Sequence, residues 1–296
     1  MRKTILTHAI TGFMAGTILK KYIFIFALGF FGLGALANPP LASQQQIGMF
    51  INSKTCVVLE NGSISYNVLI KDAVQKYWKS TEFEFIDQQE FEKRRFDPKY
   101  SFLVLMKGVF DKDPGGVSYN YISLVLGDAA ASNMTNMPEL CSIPLSYSDD
   151  TNIDYGYAIP SIIKFMQKHA KNLEKKRFQI SLEGLQYYNN SAGFKGKVLL
   201  LNKEMMALDA NTPEKIKTVY AYYVKLLSTS EIETELSTNP INTLFNFHVG
   251  PTQNTGAGKC FEMIFDVEGN LYYYNYRKIT NDNPDGFNLN DFHSIR

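Results

Sequence analysis

The chain has 296 residues, 45% of them hydrophobic, and its 30 Lys and Arg against 29 Asp and Glu leave a net charge of +1. That is apolar enough for a large core and too evenly charged for nucleic-acid binding by counterion release. Three cysteines in a chain this long exclude a disulfide scaffold.

Residues 1–37 read as an export signal. Lys20 and Lys21 precede the apolar run 22–33, and Ala35-Leu36-Ala37 supplies the small-x-small pattern before Asn38-Pro39-Pro40. A run of about 12 residues is short for a bilayer span. Gly29, Gly32 and Gly34 also weaken a persistent helix. Cleavage after Ala37 is expected, with no stable transmembrane span afterwards; a retained anchor is the alternative, and Met14 offers a second start. No cysteine stands at the cut to take a lipid. Without Arg2, Lys3, Lys20 and Lys21 the mature chain holds 26 bases and 29 acids, a net charge of −3.

The polar, proline-bearing stretch 38–46 reads as a tether and 55–59 as a first strand. Leu69, Ile70, Ala73, Val74, Tyr77 and Trp78 fall at helical spacing, which predicts an amphipathic helix over 69–79. A strand at 83–86 follows, then a short helix capped by Asp87, with Glu90 three residues on. Residues 100–106 are apolar without alternation, as in a central strand covered on both faces. Asp113-Pro114-Gly115-Gly116 marks a turn into the partner strand 120–126. The order is β-α-β-α-β-β.

Residues 128–158, with Pro138 and Pro144, lack periodicity and read as an irregular connector. Pro160 opens a helix expected to end at Lys176, where the basic cluster 171–177 suits the helix dipole. Strands are expected at 178–182 and 197–201. A second series then begins: helix 213–222, strand 223–227, a capping box at Ser228 and Glu231, and strands at 244–249, 261–267 and 271–279. Residues 281–293 read as a polar tail.

The stretch 70–128 therefore returns at 212–270, shifted by 141 or 142 positions. Phe91 falls on Ile232, Gly108 on Gly250, Val125 on Val267 and Gly127 on Gly269, while His248 falls on Met106. The expected fold is α/β (α+β), with two tandem duplicated β-α-β-α-β-β units and mixed sheets. Its layout is 1–37 signal, 38–128 first unit, 129–195 connector plus helix, 196–280 second unit and 281–296 tail. In element order each unit resembles the small envelope α/β domains of the TolB amino-terminal, LpoB and CsgG kind. The whole chain, rich in Tyr, Asn and Lys, also resembles exported envelope proteins of Bacteroidota. These resemblances imply an envelope protein acting through contacts, and they supply no catalytic residue.

Sites of chemistry are scarce. The stretch 250–259 has the glycines and lysine of a phosphate loop, but Cys260 follows the lysine and a strand, not a helix, comes next. His169, His248 and His293 lack zinc-ligand spacing, and no Gly-x-Ser-x-Gly elbow occurs. A Cys260–His248 pair stays open as a nucleophile, although both residues fall on strands. Cys56, Cys141 and Cys260 are either buried thiols or one disulfide and a thiol. Two loops have alternating oxygen donors, at 150–154 and at Asn281, Asn283 and Asp285, but neither has the terminal acid of a calcium loop.

No catalytic, cofactor or metal site is therefore assigned. Tyr272, Tyr274 and Tyr276 project from one face of the last strand and, with Arg277, form the candidate contact residues. The expected function is an exported, non-enzymatic binding or scaffold module. Its partner would be another envelope protein or a polysaccharide, not nucleic acid. A carbohydrate or small-ligand binder and a hydrolase with an unrecognised site are the alternatives.

Overall fold

A computed structural model describes residues 40–110, 117–148, 155–251 and 258–295. Helix α1 (Gln44–Ile51) precedes a first series: β1 (Lys54–Val58), α2 (Ile64–Tyr77), β2 (Phe83–Ile86), α3 (Gln88–Arg94), β3 (Tyr100–Val109), β4 (Ser118–Leu126) and β5 (Glu139–Tyr147). Helix α4 (Ile159–Glu183) leads to the second: β6 (Val198–Asn202), α5 (Pro213–Lys217), β7 (Val224–Leu227), α6 (Thr229–Thr238), β8 (Thr243–Val249), β9 (Lys259–Asp266) and β10 (Leu271–Lys278). Helix α7 (Leu289–Ile295) follows.

The two five-stranded mixed sheets have one topology. Their orders are β2-β1-β3-β4-β5 and β7-β6-β8-β9-β10. In each, the first strand runs parallel to the second and third, and the rest are antiparallel. Asp87 and Ser228 cap the second helix of each unit by accepting from the backbone N–H of Glu90 and Glu231. Phe83 and Val224 stand four residues before those caps. Phe83 pairs with Thr55, which pairs with Ser101; Val224 pairs with Leu199, which pairs with Leu244. Ser101 therefore corresponds to Leu244, and His248 to Leu105 rather than to Met106. That is one residue from the sequence alignment, and in a strand one residue changes the face.

Right-handed crossovers place the two helices of each unit on opposite faces of its sheet. The units then pack through unlike faces. The α2 side of the first sheet (Leu103, Ile122, Leu124) and the α6 side of the second (Phe245, Phe247, Phe261, Met263, Phe265) share one core with α4. Phe91 of α3 covers the outer face of the first sheet with Phe102 and Val104. The outer face of the second sheet corresponds to the buried α2 side of the first. Its own helix, α5, has 5 residues where α2 has 14. Phe287, Phe292 and Ile295 of the C-terminal segment supply the missing cover, packing with Leu199, Leu201, Leu244 and Ile264.

Several expectations are corrected. The tether is docked: Leu41 bridges to Glu139 at the edge of β5, and Ser43 opens α1 with a capping box. The stretch read as an irregular connector contains β5, which completes the first sheet. Residues 178–182 are helical, and the end expected at Lys176 is a kink (φ −125°, ψ 16°) in α4. Phe178, Ile180 and Leu182 alternate like a strand, yet only Ile180 is buried. The helix expected over 213–222 stops at Lys217 because Tyr220 turns into the outer core against Phe292. The tail contains helix α7, with Asp291, Phe292 and Ile295 buried.

Candidate contact site on the second sheet

Strand β10 has two faces, and the structure separates the four candidate residues. A bulge between Leu271 and Tyr273 takes Tyr272 out of the tyrosine stripe. Tyr272 packs on Phe194 (6.0 Å between ring centroids), lies 5.3 Å from the Lys197 ammonium and donates to Asp266 at 3.3 Å. Tyr274 and Tyr276 stay together, 6.2 Å apart, on the inner face. Arg277 points to the outer face, into a cluster of charges.

On the inner face Tyr276, 49% exposed, stacks on buried Phe261 at 6.3 Å. Phe261 also meets Phe110 (6.2 Å), Tyr119 (5.3 Å) and Tyr121 (6.1 Å) from the hairpin of the first sheet. The Lys259 ammonium sits 3.7 Å from the Phe110 ring centroid and 5.2 Å from that of Tyr276. The Tyr119 hydroxyl donates to the Lys259 carbonyl and accepts from the Lys259 N–H, both at 2.7 Å. Val109 is 52% exposed beside them. The two sheets thus meet in a half-exposed aromatic surface with a cation at its rim. Along the strand edge, the Asn189 side chain accepts from the Tyr274 N–H (2.7 Å) and donates to the Tyr274 carbonyl (3.1 Å), as a neighbouring strand would. Among the described residues Tyr276 has no such cap, so the covered edge ends where the aromatic surface begins.

On the outer face the row His248–Glu262–Asn275 stands across β8, β9 and β10, where the first sheet has Leu105–Ile122–Ile143. Buried His248 places Nδ1 2.7 Å from Glu262 Oε1 and Nε2 3.1 Å from Asp285 Oδ1. Arg277 Nη1 lies 3.0 Å from Asp291 Oδ2, and Nη2 lies 3.6 Å from Glu262 Oε1. Arg277 Nη2 also donates to the Gly286 carbonyl. Asp291 accepts from the Tyr273 hydroxyl (2.8 Å), Asn275 Nδ2 (3.2 Å) and the Asn288 N–H (3.0 Å).

Carboxylate oxygens at both ring nitrogens favour an imidazolium. Burial alone would lower the His248 pKa, but the charges of Glu262 and Asp285 outweigh it and raise the value to about 10. Burial lifts Glu262 to about 7 against the pull of His248 and Arg277. Among the described residues Glu262 Oε2, Arg277 Nε and Asn246 Nδ2 are buried without a hydrogen-bond partner, and Asp285 Oδ1 touches His248 without an aligned hydrogen bond. Gly250 permits the approach of the tail, because a Cβ there would stand 2.2 Å from Asp285 Oδ1.

Of the remaining candidates, those within the described residues are engaged in the fold. Cys260 lies opposite Arg277 on β10, and burial together with Glu262 pushes its thiol pKa up, against a thiolate nucleophile. Cys56, Cys141 and Cys260 are all buried and free. His169 is held near a pKa of about 4 by burial and bonds the Tyr188 hydroxyl at 2.9 Å. Asp285, offered above as a calcium ligand, is paired with His248. The other loop, 150–154, and most of the glycine-rich stretch, 252–257, lie outside the described residues. Among the described residues no group of His, Cys, Asp and Glu is arranged to hold a metal, and no helix is long and apolar enough to cross a membrane. Asp285 and Asp291 were missed as partners of the sheet; Phe292 and Ile295, one helical turn apart, with Phe287 before them, were the available signal. No protein-family model, curated protein or solved structure gives a significant match to the chain.

Proposed function

We propose that the protein is an exported, non-enzymatic module that binds another envelope macromolecule through the aromatic surface of Val109, Phe110, Tyr121, Lys259, Tyr274 and Tyr276. One observation carries this reading. Half-exposed rings from both sheets converge on Phe261, and strand backbones already hold them. Such rings lose little conformational entropy on contact, which is why Tyr recurs at binding hot spots. The uncapped edge at Tyr276 favours a protein partner that lays an extended segment along β10. The stacked face of Tyr276 also suits a sugar ring, so a polysaccharide is the second reading. Export rests on the composition of residues 1–37.

The test places a photo-crosslinking residue at Tyr276, Val109 or, as a control, Leu208, which is 81% exposed. A discrete protein adduct in producing cells from positions 276 and 109, absent from 208, supports the reading. Co-sedimentation with isolated wall polysaccharide that Tyr276→Ser abolishes supports the second reading. No adduct and no sedimentation, or turnover in a hydrolase substrate panel, overturns both.

A further inference from the structure

The basic cluster 171–177 loses its helix-end explanation, because α4 continues to Glu183. Lys171, Lys175 and Lys176 are exposed and form no ion pair among the described residues. Just beyond them, Phe178 and Leu182, one helical turn apart, are each 70% exposed. Two large apolar side chains beside three unpaired ammonium groups are poor cover for a helix in water. The same pairing suits the headgroup and acyl boundary of an anionic bilayer. From Lys168 to Glu183 the segment holds five cations and two acids.

Arg177 is held within the fold, which leaves the outward charge to the three lysines. Arg177 donates from Nε to the Ala42 carbonyl (2.7 Å) and from Nη2 to the Leu41 carbonyl (3.4 Å), and Gln44 Nε2 donates to the Glu174 carbonyl (2.9 Å). We infer that the exposed end of α4 is a docking surface for an anionic lipid bilayer. Phe178 and Leu182 enter the interface, and Lys171, Lys175 and Lys176 face the headgroups. This surface is separate from the aromatic one and does not depend on it.

The probe is tryptophan fluorescence of the full chain carrying Phe178→Trp, mixed with phosphatidylcholine vesicles with or without phosphatidylglycerol. The single native tryptophan, Trp78, is 5% exposed and gives a constant background. A blue shift and quenching by brominated lipid are expected only with the anionic vesicles. Lys171→Gln, Lys175→Gln and Lys176→Gln together should weaken partitioning by about 100-fold while leaving the melting temperature unchanged. Ile241→Trp, at an 83% exposed site, serves as the control. An unchanged spectrum at 178, an equal response at 241, or a blue shift without vesicles that grows with protein concentration overturns the inference; the last would mark a second copy as the occupant.

Discussion

Replacing His248 and Glu262 together by glutamine removes both titrating members of the outer-face row while keeping side chains of similar shape. In the folded protein His248 titrates near 10 and in the unfolded chain near the ordinary 6.5. The native state therefore holds one extra proton between those values. Stability from His248 is complete below about pH 6.5 and is lost as pH rises through 10. Glu262, raised to about 7 by burial, acts in the same direction at lower pH, because its protonated form is the one the fold favours. Above pH 7.5 the histidine dominates, with a slope of about 1.4 kcal/mol per pH unit. Between pH 7.5 and 9.5 the wild type should lose ~3 kcal/mol relative to the double variant, about 6–10 °C in melting temperature for a chain of this size. Lysines, tyrosines and thiols titrate in both proteins and cancel in the difference. Denaturant melts at four pH values read it directly. Parallel profiles for the two proteins would refute the assignment of the imidazolium.

Gly250→Ala should destabilise by about 1–3 kcal/mol in urea, because the new methyl group meets the Asp285 carboxylate at 2.2 Å; adding Asp285→Ala should recover part of the loss. Tyr274→Ser should lower stability by about 2–4 kcal/mol because the partly buried ring packs against the shared core as well as reaching the surface, whereas Tyr276→Ser, half exposed, should cost under ~1 kcal/mol and act on binding. Equal melting losses at the two positions would count against the inner face as a contact surface. Intact mass of the protein recovered from the envelope or medium should show cleavage after Ala37, and a retained leader would end that expectation.

Local signals were legible where the chain obeys local rules. Asp87 and Ser228 announced their helices, and the order of elements from β1 to β4 and from β6 to β10 followed from apolar spacing. Strand β5 was hidden because Pro138 and Pro144 read as loop. The register shifts opposite Tyr121 and Val125 leave Leu145 and Leu140 as extra residues on β5, which broke its own alternation. Pro144 belongs on such a strand, since an edge can spare the N–H that a central strand cannot. The tyrosine stripe was visible, but the bulge at Tyr272 that divides it follows from pairing with β9 and leaves no local trace. The His248–Glu262 row was invisible for a similar reason. Each residue alone looked like an ordinary polar position, and only sheet register places them opposite one another with Asp285 beside them.

The two sheets share a topology but meet through unlike faces, and this asymmetry accounts for where the charges lie. In the first unit the row Leu105–Ile122–Ile143 faces α2 and the neighbouring unit, where apolar side chains suffice. In the second, the equivalent row faces outward beneath a helix of 5 residues and is closed by a chain segment that must settle in one register. Apolar contacts from Phe287 and Phe292 hold that segment without fixing its position, since hydrophobic burial is non-directional. His248 against Asp285 and Arg277 against Asp291 are directional. A buried ion pair adds little net stability over an apolar one, but misplacing it strands a charge, so wrong registers are costly. Arg277 and Tyr276 are adjacent on β10 and point to opposite faces. The charges that seat the tail therefore also clamp the strand that presents Tyr276 and Tyr274, and a binding surface built on that strand gains its rigidity from the far side of the sheet.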